Sequence, residues 1–183
     1  MAKKRSHRQP SAAGRHGVQP TVVVQGDGRA LVTVDLAQAD LPELSFYANA
    51  LTTTRFDHVV SYYFGQMAQF ASEQPLSAIV RVDVPVFAMG EVVKSFAPLR
   101  DRVAQLDASN PPVAPVSSAA KTAFAYPAQA VGLLVNDHMT VIDFYQLVPV
   151  RGGIFELTAA IRITGMPQLA VAFINQSDKL AEA

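Results

Sequence analysis

Two Asp-His dipeptides, Asp57-His58 and Asp137-His138, carry side chains that could do chemistry. Carboxylate and imidazole groups act as acids and bases and ligate metals. Adjacent side chains of a β-strand point to opposite faces, so the two groups of one pair cannot converge within a strand. Aspartate also favours turns. We therefore predict a structural role in turns, with no metal site and no cofactor; the alternative is an enzyme or metalloprotein that uses His58 and His138.

Two arginines recur in similar surroundings, Arg81 in Ala-Ile-Val-Arg-Val and Arg162 in Ala-Ala-Ile-Arg-Ile. A guanidinium group can hold a phosphate or a carboxylate through two hydrogen bonds. Alternatively, charged side chains keep an exposed sheet face soluble and discourage pairing at a sheet edge. Arg81 and Arg162 are candidate contacts to a polyanion or a partner, with a structural role as the alternative.

Tyr62 and Tyr63 form an aromatic cluster with Phe64, and Phe144 and Tyr145 repeat it. Aromatic side chains on a sheet can stack on single-stranded bases when basic residues accompany them. Aromatic residues are also favoured in strands for packing alone. Tyr62 and Tyr63 are thus candidate contacts to a nucleic acid or a partner, with core or oligomer packing as the alternative role.

The first 20 residues carry basic side chains and no acidic one. The basic residues of this tail are Lys3, Lys4, Arg5, Arg8 and Arg15. The remaining 10 basic and 15 acidic residues leave the rest of the chain at −5. The tail has few large apolar residues, so we predict that it is disordered. It could bind a nucleic acid, an anionic surface or an acidic partner, or it could serve only solubility.

The sequence lacks the patterns that mark known catalytic chemistries. It has no cysteine, which excludes disulfides, thiolate metal sites and a thiol nucleophile. It also lacks a nucleophile elbow, a phosphate-binding loop and a dinucleotide fingerprint. We expect a non-enzymatic protein. With no apolar run behind the basic N-terminus and none long enough for a membrane span, we expect it in the cytoplasm.

The elements that must position these residues form a duplication. A shift of 80 residues places Asp57-His58 on Asp137-His138 and Phe64 on Phe144, and one further residue aligns Arg81 with Arg162. Each arginine lies in a run of alternating apolar residues that predicts a half-buried antiparallel strand. The apolar faces are Leu76, Ala78, Val80, Val82 and Val84 in one copy and Phe155, Leu157, Ala159, Ile161 and Ile163 in the other.

A helical pattern follows each of these strands. The first runs over 86–106 and is kinked or broken by Pro98, and the second has Pro167 at an early helical position. Before the duplication, Thr21–Val24 and 30–34 flank Gly26-Asp27-Gly28, which is typical of a β-hairpin.

We therefore predict an α+β fold: a duplicated strand-strand-strand-helix unit whose antiparallel sheets are each covered by a C-terminal helix, plus an N-terminal hairpin. The predicted segments are a disordered tail (1–20), a first unit with the hairpin (21–106), a proline-rich linker (107–118) and a second unit (119–183). We expect 21–183 to form one compact domain.

The first unit contains Tyr47-Ala48-Asn49, a strand from Phe56 to Phe64, and a strand from Val80 that leads through Pro85 into a helix. In these features it resembles a family of small bacterial proteins of unknown function. The second unit keeps Tyr126, but a different sequence follows it. The resemblance implies a fold and no activity.

High apolar content, low charge and the missing catalytic patterns favour a protein-binding or assembly module that forms a homo-oligomer or joins a larger complex. The alternative is a single-stranded nucleic-acid-binding protein that uses the basic tail, the two arginines and the sheet aromatics.

Overall fold

The computed structural model describes residues 21–24, 30–33, 42–67, 76–106, 124–150 and 154–182. Over these residues the protein is a mixed α+β fold with two four-stranded sheets, a two-stranded hairpin and three α-helices. The predicted fold class is confirmed. The predicted disordered tail (1–20), with Lys3, Lys4, Arg5, Arg8 and Arg15, and the predicted linker (107–118) lie outside the described residues.

The N-terminal hairpin is formed by β1 (Thr21–Val24) and β2 (Ala30–Thr33), which pair antiparallel. This confirms the predicted strand pair. The Gly-Asp-Gly sequence between the strands lies outside the described residues.

The first half of the duplication contains four strands and two α-helices. They are β3 (Ser45–Tyr47), β4 (Ala50–Arg55), β5 (Val59–Gln66), β6 (Ser77–Pro85), α1 (Met89–Ser95) and α2 (Arg100–Ala104). A 3-10 turn at Ala97–Leu99 separates the two helices. It contains Pro98, which has no amide hydrogen to continue a helix, so the predicted break is confirmed.

The second half repeats this order with one longer helix. Its elements are β7 (Ala125–Pro127), β8 (Ala130–Val135), β9 (Thr140–Val150), β10 (Ile154–Gly165) and α3 (Pro167–Glu182). Pro167 is the first helical residue, where a missing amide hydrogen costs nothing and the fixed φ suits the helix.

The two halves exchange their first strands. β4, β5 and β6 form an antiparallel unit, and β7 from the second half completes that sheet parallel to β6. In the other sheet, β8, β9 and β10 are antiparallel, and β3 from the first half lies parallel to β10. Each antiparallel unit therefore receives its fourth strand from the other half.

Backbone hydrogen bonds at the exchanged strands repeat at matching positions. The amide of Arg162 donates to the carbonyl oxygen of Leu44 at 2.8 Å, and the amide of Arg81 donates to that of Phe124 at 3.0 Å. The same relation joins Ala48 to Thr164 and Ala128 to Asp83, each at 2.9 Å. Matched residues differ by the same 80 or 81 positions that align the two halves of the sequence. The duplication is therefore a structural one.

A β-bulge in β6 changes which residues share a face. Phe64 faces Val80, but Gly65 faces Ala78, so Ile79 is an extra residue. The prediction that Ala78 shares the core face of Val80 is therefore wrong. Ala78 packs instead with a small second apolar cluster.

The same bulge occurs in β10. Phe144 faces Ile161, but Tyr145 faces Ala159, which makes Ala160 the extra residue. The prediction that Ala159 shares the face of Ile161 is wrong for the same reason. A bulge at the same place in both halves is further evidence for the duplication.

One core serves both halves, and Phe173 of α3 lies within it. Its ring centroid is 5.0 Å from that of Tyr62, 5.4 Å from Phe96 and 5.9 Å from Phe144. α3 packs against β4, β8 and β9, and α1 packs against α3 and β8. Helices α1 and α3 therefore each pack against a strand of the other half, which the prediction of one helix over its own sheet did not include.

Candidate interaction edge

Arg162, one of the predicted contact residues, forms an ion pair within its own sheet. It faces Asp143 on β9, and its Nε and one terminal nitrogen each donate to a carboxylate oxygen at 2.7 Å. The hydrogen bond that Arg162 donates to Asp143 raises the pKa of Arg162. Two of the five donor N–H groups and the charge of Arg162 are thus engaged by Asp143, which favours a role within the sheet.

Arg81, the matching residue, pairs with Asp83 on its own strand at 3.0 Å. Its cross-strand neighbour is Tyr63, where the other half has Asp143. The Asp83 carboxylate also accepts a hydrogen bond from Ser61 Oγ at 2.7 Å. Both arginines thus bind carboxylates of this chain, which agrees with the structural alternative.

The two tyrosines proposed as contacts lie on opposite faces of β5. Tyr62 is fully buried, and its hydroxyl lies 2.9 Å from Ser177 Oγ. Burial in the core raises the pKa of Tyr62 and keeps its ring from any external ligand. The burial of Tyr62 favours the alternative role in core packing. Tyr63 is half-buried and packs against the small second apolar cluster.

The repeated Asp-His pairs lie in turns. Asp57-His58 connects β4 to β5, Asp137-His138 connects β8 to β9, and all four side chains are exposed. Asp137 forms an ion pair with Arg102 of α2. Over the described part of the chain no three His, Asp or Glu side chains cluster as metal ligands would. The predicted placement in turns is confirmed.

Two sheet edges that match under the duplication differ in chemistry. Residues 52–55 of β4 are Thr-Thr-Thr-Arg, whereas residues 132–135 of β8 are Gly-Leu-Leu-Val. Helix α3 engages the β4 edge: Thr53 Oγ1 donates to Gln176 Oε1 at 3.2 Å, and Arg55 donates to the carbonyl oxygen of Leu180 at 2.6 Å. β8 has no side chain that could make such bonds.

The apolar edge is partly open to solvent. Leu134 is 56 % exposed on the outer face of β8, while Leu133 and Val135 pack from the opposite face against the core. Among the described strands, β8 ends its sheet, next to β9. An exposed, uncharged edge strand is a template for pairing with another chain.

The backbone orientation of β8 follows from the turn that ends it. The amide of Asn136 donates to the carbonyl oxygen of Met139 at 3.0 Å, so residue 136 faces the neighbouring strand. Backbone groups of an antiparallel strand alternate in direction, and the β8–β9 register has no shift from Ala130 to Val135. The backbone groups of Val131, Leu133 and Val135 therefore point away from β9.

Sequence reasoning missed this edge because it examined charged and aromatic residues. The signal was in the duplication: the 80-residue shift places the run Gly-Leu-Leu-Val on Thr-Thr-Thr-Arg. This change exposes an apolar side chain, Leu134, where the first half has Thr54.

Comparisons with protein families, with curated protein sequences and with solved structures found no match to this chain. Of the helices that the structure describes, none is long and apolar enough to cross a membrane.

Proposed function

We propose that the protein is a non-enzymatic self-association module and that β8 is its interaction edge. The observation that carries this proposal is the contrast between β4 and β8. The two strands occupy matching places, but β4 has Thr54 where β8 presents Leu134 to solvent. Leu133 and Val135 pack against the core, but the fold accepts a threonine where Leu134 lies, so the exposed leucine has a use other than folding.

A second copy of the chain is the natural occupant of this edge. Two identical antiparallel strands related by a two-fold axis present the same groups to each other, so one surface is enough to form a closed dimer. The contact spans few residues, so we expect a dissociation constant of about micromolar or weaker.

Most of the described residues that nucleic-acid binding would use are buried or already paired within this chain. Arg81 and Arg162 are paired with Asp83 and Asp143, and Tyr62 is buried. That function would now depend on the basic tail, which lies outside the described residues.

Analytical ultracentrifugation tests the proposal. The full chain is compared with Leu134→Lys over a concentration range of about 5 to 500 µM. We expect the unchanged protein to form dimers as its concentration rises. The lysine variant should remain a monomer, because a charge on the edge strand would have to be desolvated in the pair.

Phe87→Lys is the matched control. Phe87 is also an exposed apolar residue, at 84 %, but it lies in the 3-10 turn after β6 and is not part of an edge strand. This variant should dimerise like the unchanged protein. A wild-type chain that stays monomeric throughout, or equal dimerisation of the Leu134 variant, would refute the proposal.

A further inference from the structure

We infer that two copies pair antiparallel through β8 in one register, with Leu133 of one copy opposite Leu133 of the other. This inference rests on the proposed self-association and specifies its geometry. It follows from the direction of backbone groups in β8, the shape of its outer face and its charges.

Backbone groups of β8 that bond no other strand among the described residues restrict the register. Val131, Leu133 and Val135 point their amides and carbonyls away from β9, so these residues must form the hydrogen-bonded pairs with a second strand. A two-fold centred on Leu133 places Leu133 opposite its own copy and Val131 opposite Val135. All three residues of each copy then donate and accept hydrogen bonds. Centring on residue 132 or 134 would pair only two of these three residues with each other and would place the third opposite a residue outside β8.

The outer face of β8 fits the same register. With Leu133 at the centre, Leu134 of each copy lies directly opposite Gly132 of the other. A glycine has no side chain, so the exposed leucine can lie over the partner backbone and lose contact with water. At the matching position of β4 the glycine is replaced by Thr52, which would crowd such a contact.

The charges near the edge permit this pairing. The six residues Ala130–Val135 carry no charge. Asp137, the nearest acidic residue beyond the strand, would lie opposite Gln129, and it is already paired with Arg102. The register therefore brings no like charges face to face, which would otherwise weaken strand pairing.

Disulfide trapping tests the register, and the chain offers a clean background because it has no cysteine. Leu133→Cys should form a disulfide dimer with itself under mild oxidation, because opposite residues of a strand pair have Cα atoms within about 6 Å. Leu134→Cys is the control. The side chain at position 134 is more accessible than that at 133. In the proposed register, however, residue 134 of the second copy lies two residues farther along the partner strand, so the two Cα atoms are about 8 Å apart, too far for a disulfide.

A mixture provides a second readout if Leu133→Cys folds poorly. Gly132→Cys and Leu134→Cys should cross-link when mixed, and neither should do so alone. Self-linking of Leu134→Cys or Gly132→Cys alone would overturn the register and leave self-association standing. A dimer in the ultracentrifuge with no cross-link from any variant would place the contact away from β8 and overturn both proposals. A monomer would refute the proposed function itself.

Discussion

The amide of Ala48 donates a hydrogen bond to the carbonyl oxygen of Thr164 at 2.9 Å, across more than half of the chain. This bond fixes the residue after β3 beside β10, the strand with which β3 pairs. The matched bond from Ala128 to Asp83 does the same for β7 and β6. Neither antiparallel unit has its fourth strand without the other half.

We therefore predict that the chain can be cut between its halves without separating them. A specific protease sequence inserted between residues 107 and 118 should allow cleavage, and the two pieces should elute together in gel filtration. After denaturation, each piece refolded alone should lack the circular dichroism of the intact protein, and a mixture should recover it. Pieces that separate under native conditions would show that strand exchange does not hold the halves together.

Gly165 lies where β10, β3 and α3 approach closely. A Cβ atom added at this position would lie 2.5 Å from the carbonyl oxygen of Ala48 and 2.6 Å from Leu169 Cδ2. The backbone oxygen cannot move without displacing the exchanged strand. We predict that Gly165→Ala lowers the free energy of unfolding by about 1 to 3 kcal/mol, as measured by urea denaturation.

Gly90→Ala is the control for that substitution. A Cβ at Gly90 meets no atom within 4 Å, and Gly90 lies in the first turn of α1. Alanine has a higher helix propensity than glycine by about 1 kcal/mol in a helix interior, so this variant should be neutral or slightly more stable. If Gly165→Ala and Gly90→Ala lower the free energy of unfolding equally, the contact with Ala48 does not explain why residue 165 is a glycine.

The sequence predicted the duplicated units because their cues are local. Alternating apolar residues, Pro98, Pro167 and the repeated Arg81 and Arg162 all act within one element or between neighbours. The strand exchange has no such cue. β3 and β7 have three residues each, and the partners Phe46 and Ile163 are far apart in sequence.

The faces near the bulges also escaped prediction. Strict alternation assigns Ala78 and Val80 to one face, and a single extra residue, Ile79, reverses that assignment. The β8 edge was missed because its apolar run resembles an ordinary buried strand until its place at the end of a sheet is known.

The ion pair between Asp143 and Arg162 should contribute to stability because it is largely shielded from water. The side chains are 13 % and 25 % exposed, and two hydrogen bonds join them. Asp143→Asn would leave the guanidinium charge without a countercharge in that setting. We predict a loss of about 1 to 3 kcal/mol in the free energy of unfolding, below the cost for a fully buried pair.

The exposed pair between Glu91 and Lys94 serves as the comparison. Its side chains are 50 % and 72 % exposed, so Glu91→Gln should change stability by less than about 0.5 kcal/mol. If Asp143→Asn changes the free energy of unfolding as little, then water or another acceptor satisfies the Arg162 guanidinium as well as the Asp143 carboxylate does.

Two tyrosines should make the protein lose stability in alkaline solution. Burial raises the pKa of Tyr145 to about 12 and also raises that of Tyr62, against about 10 in an unfolded chain. Above pH 10 the unfolded state therefore releases protons that the folded state retains, which favours unfolding. The stability from these groups should be intact below about pH 10 and should fall as the pH rises from about 10 to 12.

Urea denaturation at several pH values between about 8 and 11 measures this fall, and phenylalanine variants assign it. Tyr62→Phe removes the hydroxyl that lies 2.9 Å from Ser177, which should cost about 1 kcal/mol at neutral pH. Ser177 keeps its own hydrogen bond to the carbonyl oxygen of Phe173 at 2.7 Å, so the fold should survive. The alkaline fall should be shallower in Tyr62→Phe and in Tyr145→Phe than in the unchanged protein. If both variants show the full fall, other groups cause the alkaline loss and the buried hydroxyls do not.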